Sequence, residues 1–411
     1  MTTDLRVLQP PEWDRWFRAF ELAFGGLTKP AAEHALYRDL TELDRSVGVW
    51  DGEECVGTTG AFSFRLTVPG GARVPAAGVT MVSVAATHRR RGLLTSMMRR
   101  QLDDVRTWGE PLAVLVASEP VIYGRYGYGV ATQRLSAEID TARVRISVPE
   151  GPGDVRLRRV KPDDPAVRDA CEAVYAAEVA ERPGMLARRP GWERMPVVDG
   201  DPAKDGMSPL QCVLAERHGE VVGFTLFHNR PRWDASGPKG VIELRDLYAL
   251  DPVAYAELWR FLFGVDLTST IRAQDRPVDD PFQYLVSDVR RCGLGLRDSL
   301  HLRPVEVGAA LAARTYRAAL DVVLEVEDSF CPWNEGRWRL SGDSKGASCE
   351  RTADQPDLAL SVNELGAAYL GGVSLTALAR AGRVAEVRPG ALAAASDAFA
   401  SDLAPWLPHG F

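Results

Sequence analysis

Three consecutive arginines and a glycine, in Thr87-His88-Arg89-Arg90-Arg91-Gly92-Leu93-Leu94, are the residues of this chain best equipped to hold a polyanion. They follow Val79-Thr80-Met81-Val82-Ser83-Val84-Ala85, a β-branched run with the length of one strand. They precede a stretch in which Leu94, Met97, Met98, Leu102 and Val105 recur at helical spacing. The basic turn is therefore predicted to open a helix. Free backbone N–H groups and the positive end of the helix dipole favour an anion there, and Gly92 lets a ligand approach the backbone. Arginine side chains add charge-assisted bonds. The chemistry this layout offers is the gripping of a pyrophosphate. The turn carries neither Gly-x-Gly-x-x-Gly nor Gly-x-x-x-x-Gly-Lys-(Ser/Thr), so the dinucleotide and nucleoside-triphosphate loops are not what it resembles.

Downstream, Leu112-Ala113-Val114-Leu115-Val116-Ala117 is a short apolar run suited to a buried strand, closed by Ser118-Glu119. Next comes Ile122-Tyr123-Gly124-Arg125-Tyr126-Gly127-Tyr128-Gly129. Glycines alternating with aromatics make a poor helix and suggest close-packed, irregular backbone that could hold a phenol in place. Sequence physics gives Tyr123, Tyr126 and Tyr128 equal standing, since buried tyrosines usually serve packing.

An Arg-x-x-Gly-x-(Gly/Ala) turn between a central strand and the following helix marks the acyl-CoA site of the GNAT acetyltransferases. Arg89-Arg90-Arg91-Gly92-Leu93-Leu94 resembles it, with Leu94 in place of the usual small residue. Taken with Ala117-Ser118-Glu119 and the aromatic-glycine run, the chain closely resembles the Eis (enhanced intracellular survival) acetyltransferases. The likeness returns in Asp397-Ala398-Phe399-Ala400-Ser401-Asp402 and in Phe411, the last residue of this sequence. The resemblance implies an amine N-acetyltransferase with acetyl-CoA as co-substrate and no metal. It implies that backbone groups of Val82, Ser83 and Val84 pair with the pantetheine arm, that Arg90, Arg91, Gly92, Leu93, Leu94 and Thr95 hold the pyrophosphate, and that Ser118 and Glu119 lie alongside. It singles out Tyr123 as general acid and the Phe411 carboxylate as general base. His88 is expected to be a turn residue, because it sits where phosphates should go.

The elements that must position these groups fall into three units. The first, residues 1–150, includes strands at Ser46 to Trp50 and Val56 to Val68, joined across Asp51-Gly52. Val148-Pro149-Glu150-Gly151-Pro152-Gly153-Asp154 reads as a linker. The second, 151–298, repeats the theme: a hairpin at Val213 to Phe224, a strand at Val241 to Leu250, and a helix with Asp251 as N-cap and Pro252 first. Its acidic cap, lack of glycine and proline without an N–H should disfavour a pyrophosphate, which predicts a degenerate second GNAT-like domain. The third, 299–411, has strands at Leu320 to Glu327 and Trp338 to Leu340. Ala-rich helices follow at Asn363 to Leu370, Leu375 to Ala381 and Ala391 to Phe399. By resemblance it is sterol-carrier-like and supplies the terminal carboxylate. The predicted class is thus α/β (α+β), with central mixed sheets in the tandem GNAT-like domains. Its closing segment, Pro405-Trp406-Leu407-Pro408-His409-Gly410-Phe411, is largely apolar and stiffened by two prolines, as suits a tail that docks.

The chain has 411 residues, 45% hydrophobic and 26% charged, which is ordinary for a soluble multidomain protein. No apolar run approaches a membrane span and the first residues lack a signal pattern, so a cytoplasmic, non-membrane protein is expected. Six cysteines without Cys-x-x-Cys spacing are read as thiols. A net charge of −7 argues against general nucleic-acid binding and suits a cationic acceptor. Family members acetylate aminoglycosides, lysine side chains or small amines, and the resemblance implies a homo-oligomer, a hexamer. Here Gly410 and Phe24-Gly25-Gly26 replace acidic residues that some members carry, and Glu33 and Asp39 are the residues that could compensate. The rival reading is an acyl-CoA- or lipid-binding protein without turnover.

Overall fold

Trp13, Trp16 and Phe17, at helical spacing on Trp13–Ala23, are fully buried and seat that helix on the first sheet, where the Trp16 indole donates to Val47 O at 2.9 Å. On the opposite face, Met97, Met98, Leu102 and Val105 of the helix Leu93–Thr107 are buried as their spacing predicts. The computed structural model describes residues 3–151, 155–200, 202–203 and 205–411. Pro152, Gly153 and Asp154 of the expected linker lie outside the described residues.

The first sheet runs Asp4–Val7, Val47–Asp51, Glu54–Thr67, Arg73–Val84, Leu112–Val116, Leu300–Pro304 and Gly129–Val130 in spatial order, with Leu186–Ala187 beside Glu54–Thr67. Every pair is antiparallel except Arg73–Val84 with Leu112–Val116. That parallel pairing covers only Ala76–Gly78 against Leu112–Val114. Beyond it the two strands part. The cause lies in Arg73–Val84 itself: its register against Glu54–Thr67 slips between Thr58 and Gly60, and Met81 takes the left-handed conformation with φ 51°. Such a bulge strands backbone polar groups and re-aims the strand. Buried side chains satisfy them here, Thr58 Oγ1 donating to Met81 O at 2.6 Å and Gln101 Nε2 to Gly60 O at 2.9 Å.

The second sheet orders Gly295–Asp298, Gln133–Asp140, Thr268–Arg276, Gly240–Ala249, Glu220–Arg230, Gln211–Arg217 and Arg156–Val160. The helices Pro165–Glu181 and Pro252–Phe263 bury apolar faces on it. Asp251 caps the second as expected, accepting from Val253 N and Ala254 N at 3.0 Å each. Strands are exchanged between the two sheets. Gln133–Asp140 lies in the second, whereas Leu300–Pro304 returns to the first between Leu112–Val116 and Gly129–Val130. The chain segments cross at Thr132, which accepts from Ser299 N at 3.0 Å and, through its hydroxyl, from Leu300 N at 2.9 Å.

The third unit is a five-stranded sheet, Gly346–Arg351, Gly336–Asp343, Leu320–Glu327, Leu358–Ser361 and Val384–Glu386, packed against helices Val307–Ala312, Val362–Ala368, Leu375–Arg380 and Ala391–Phe399. Leu324, Leu340, Leu365, Tyr316 and Tyr369 fill its interior. Among the described residues no helix is long and apolar enough to cross a membrane, and all six cysteines are free thiols.

Candidate active site

Where Arg73–Val84 and Leu112–Val116 part, a cleft of about 650 Å³ opens. One wall is Val82, Ser83 and Val84. Their strand stays paired to Glu54–Thr67 through Thr58↔Ser83 and Gly57↔Val84, and among the described residues no strand covers the other edge. Ser83 is fixed by a 2.7 Å bond between its hydroxyl and that of Thr58. An extended molecule could add to the bare edge as a further strand would. The floor is the start of the helix Leu93–Thr107, entered through Arg90 at φ 62° and Gly92 at φ 81°, and the first-turn N–H groups of a helix have no partner within it. Leu93, Leu94 and Thr95 complete it, and Ser118 and Glu119 form the facing wall.

The structure brings together every expected cofactor residue except Arg91, whose exposed side chain does not line the cleft. Arg89, the first arginine of the turn, does, and so does Arg125, which sequence had not singled out for that role. His88 lies in the 3₁₀ turn Ala86–His88, its ring between Thr87 Oγ1 at 2.8 Å and Asp51 Oδ2 at 3.2 Å.

The aromatic-glycine run is more helical than its composition suggests, forming the turn Pro120–Tyr123 and a 3₁₀ turn Gly124–Tyr126. Pro120 at the first helical position starts it, and Gly127 at φ 85° ends it. The three phenols now differ. Tyr123 lines the cleft and is 7% exposed, and its hydroxyl makes no hydrogen bond among the described residues. Burial, then Tyr126 and Glu119, push its pKa up to about 12. Tyr126 Oη meets Thr95 Oγ1 at 3.3 Å. Tyr128 Oη is buried without a partner.

The third unit braces this run from behind. Asn363 Nδ2 donates to Gly124 O at 2.8 Å and Tyr128 O at 3.1 Å, and a side chain at Gly129 would collide with the Asn363 backbone. Arg303, fully buried, donates to Tyr126 O and pairs with Asp328 at 2.6 Å. Phe411 reaches the same strand as Val82: Thr80 Oγ1 donates to Phe411 O at 2.9 Å, and the Phe411 ring lies 5.1 Å from that of Phe64. On the acceptor side, Phe24 lines the cleft. Glu33 is paired with Lys29, and Asp39 with Arg194 at 3.2 Å, and neither residue lines the cleft.

Residues 4–131 and 184–304 each match an acetyltransferase (GNAT) domain family, and residues 307–408 a sterol carrier protein domain family. An uncharacterised N-acetyltransferase of Streptomyces avermitilis is 66% identical over the full length of both chains. The N-acetyltransferase Eis of Mycobacterium tuberculosis is 33% identical over 98% of each chain. The crystal structure of Eis1 from Mycobacterium abscessus superposes with a TM-score of 0.82 at 36% identity, covering both chains fully. Two GNAT domains in tandem, a sterol-carrier-like third domain and full-length likeness to Eis proteins place this chain in the Eis family of GNAT N-acetyltransferases.

Proposed function

We propose that the cleft binds acetyl-CoA and that the protein transfers its acetyl group to primary amines of broad range, including aminoglycoside-type polyamines and lysine side chains. The observation that carries this reading is the parting of the two parallel strands after Gly78 and Val114, which leaves the Val82–Val84 edge bare beside a helix N-terminus. The pantetheine amides would bond that edge, and the pyrophosphate would meet the N–H groups from Gly92 to Thr95 with Arg90. Arg91 would contribute only long-range charge.

In the reaction the amine nitrogen bonds the acetyl carbon, the carbon–sulfur bond breaks, the amine's proton passes to a base and the sulfur receives a donor. An aliphatic amine with pKa near ~10.4 is mostly protonated at neutral pH, so a base is required. The Phe411 carboxylate takes that role, through water or directly, and Tyr123 is the acid. A phenol held near 12 stays protonated at working pH. Complete transfer to a thiolate of pKa ~8.5 would be uphill by about 5 kcal/mol. The hydrogen bond that Tyr123 donates to the developing thiolate therefore carries most of its effect. By the family resemblance the working form is a homohexamer, which light scattering would test.

The test is CoA release from acetyl-CoA with a panel of aminoglycosides, polyamines and lysine peptides, comparing the chain ending at Phe411 with one extended by a few residues. Turnover that collapses on extension supports both the enzyme and the terminal base. Tight acetyl-CoA binding without turnover for any amine favours the acyl-CoA-binding alternative. The third domain's cavity of about 640 Å³ has a mixed lining, with Glu325, Glu335, Glu364 and Arg383 beside Val326 and Leu360, and lipid binding there would be tested separately with the same protein.

A further inference from the structure

In the second GNAT domain the helix start that corresponds to the basic turn of the first is closed to a pyrophosphate. Asp251, whose carboxylate caps the helix Pro252–Phe263, is also held by Arg217 through bonds of 2.8 and 3.0 Å. Yet its sheet opens at the same topological place as the first. Gly240–Ala249 and Thr268–Arg276 pair in parallel only from Gly240↔Thr268 to Leu244↔Ala273 and then part. The indole of Trp406 lies at that parting. It is 3% exposed, donates from Nε1 to Asp275 O at 2.6 Å, and lies 5.7 Å from the Tyr248 ring, with the Arg276 guanidinium 5.3 Å from its centre.

The backbone on either side is held just as closely. Ala404 N donates to Asp279 at 2.9 Å, Arg182 donates to Ala404 O at 2.9 Å, and Arg182 and Asp279 pair with each other at 2.9 Å. Trp406 N donates to Pro183 O at 2.8 Å. Gly184, at φ 91°, approaches so near that a Cβ would stand 2.9 Å from Trp406 N. From this anchor only four residues, one of them Pro408, lead to Phe411 at Thr80 in the first domain.

We infer that the second GNAT domain has its own task, holding the C-terminal tail in the gap between its parted strands, with Arg182, Asp279 and Trp406 as positioning residues that set where Phe411 lies. The catalytic part of this inference rests on the Phe411 carboxylate acting as base. A displacement of about 1 Å at a reacting group can cost on the order of 100-fold. Loosening the anchor should therefore lower kcat roughly 10- to 100-fold while acetyl-CoA affinity stays within about twofold.

The test uses full-length protein carrying Arg182→Ala or the near-isosteric Asp279→Asn, each also made in a chain lacking Phe411. Turnover with the best amine of the panel, acetyl-CoA affinity by calorimetry and release of Phe411 by a carboxypeptidase are measured. The expected result is faster release in both single variants and a loss of kcat that disappears, to within about twofold, when Phe411 is already absent. An equal fold-loss in both backgrounds overturns the positioning role. Native rates of carboxypeptidase release in both variants overturn the anchor itself. If the chain lacking Phe411 turns over at the native rate, the base assignment fails instead, and the release rates alone decide whether the domain holds the tail.

Discussion

Replacing each tyrosine of the aromatic-glycine run by phenylalanine should give three different outcomes. The Tyr123 hydroxyl makes no hydrogen bond among the described residues, so Tyr123→Phe removes no hydrogen bond of the fold and should change unfolding free energy by less than about 0.5 kcal/mol. Loss of a donor aimed at developing charge typically costs 10²- to 10³-fold in kcat, about 3–4 kcal/mol, and that is the effect expected here with acetyl-CoA affinity unchanged. Tyr128→Phe deletes a hydroxyl that is buried and unpartnered, and should stabilise the protein by roughly 1 kcal/mol with turnover intact. Tyr126→Phe forfeits a long bond to Thr95, with a loss below about 1 kcal/mol that is seen mainly in the KM for acetyl-CoA. Steady-state CoA release, calorimetric binding and denaturant unfolding separate the three. The pH profile adds a check on sign. The protonated phenol is the active form, and burial raises its pKa from the ordinary 10 to about 12, so activity should not fall through pH 10 on account of Tyr123. A Tyr123→Phe protein keeping more than a third of native kcat, or a larger kcat loss in Tyr126→Phe, would refute the assignment.

Asp328→Asn leaves the fully buried Arg303 charge uncompensated and should cost about 3–5 kcal/mol in denaturant unfolding. Gly127→Ala should destabilise by more than about 2 kcal/mol, because φ is 85° there and the added methyl meets the Arg303 guanidinium; thermal unfolding reads it directly. Burial, and then Arg188, push His409 down to about 3 in the docked tail, against about 6.5 when free. Docking thus reaches full strength only well above pH 6.5 and weakens as pH falls, by about 25-fold between pH 7 and 5. Carboxypeptidase release of the tail should rise by up to that factor, and His409→Gln should abolish the rise.

Much of the site could be read in the sequence because its parts are local. A β-branched run, a basic glycine turn and a helical period define Arg73–Val84, Gly92 and Leu93–Thr107 within some thirty residues. The Asp251-Pro252 cap is equally local. The bulge at Met81 was hidden, since a β-branched run looks the same with or without a slipped register. Glu33 and Asp39 could not be placed from sequence, because Lys29 stands before the helix that carries Glu33 and Arg194 lies far from Asp39, so only the fold joins each pair. The tyrosines were indistinguishable because their different roles arise from Asn363, Arg303 and Thr95, none of which the run itself can report. The exchange of Gln133–Asp140 and Leu300–Pro304 left no trace either, because alternation tells which faces are buried and not which neighbour a strand pairs with.

That exchange constrains how the protein can be made. As the chain leaves the ribosome, the strand Leu112–Val116 must wait for Leu300–Pro304, nearly two hundred residues later, before its outer edge is covered. Gln133–Asp140 meanwhile emerges long before either of its neighbours, Thr268–Arg276 and Gly295–Asp298. Neither acetyltransferase half can therefore mature ahead of the other, and the nascent chain carries unpaired strand edges until both are synthesised. A gene cut at the proline-glycine linker would yield a fragment with one sheet unfinished and another sheet's strand attached. Refolding should accordingly be slow and sensitive to concentration, with the two halves gaining structure in a single step.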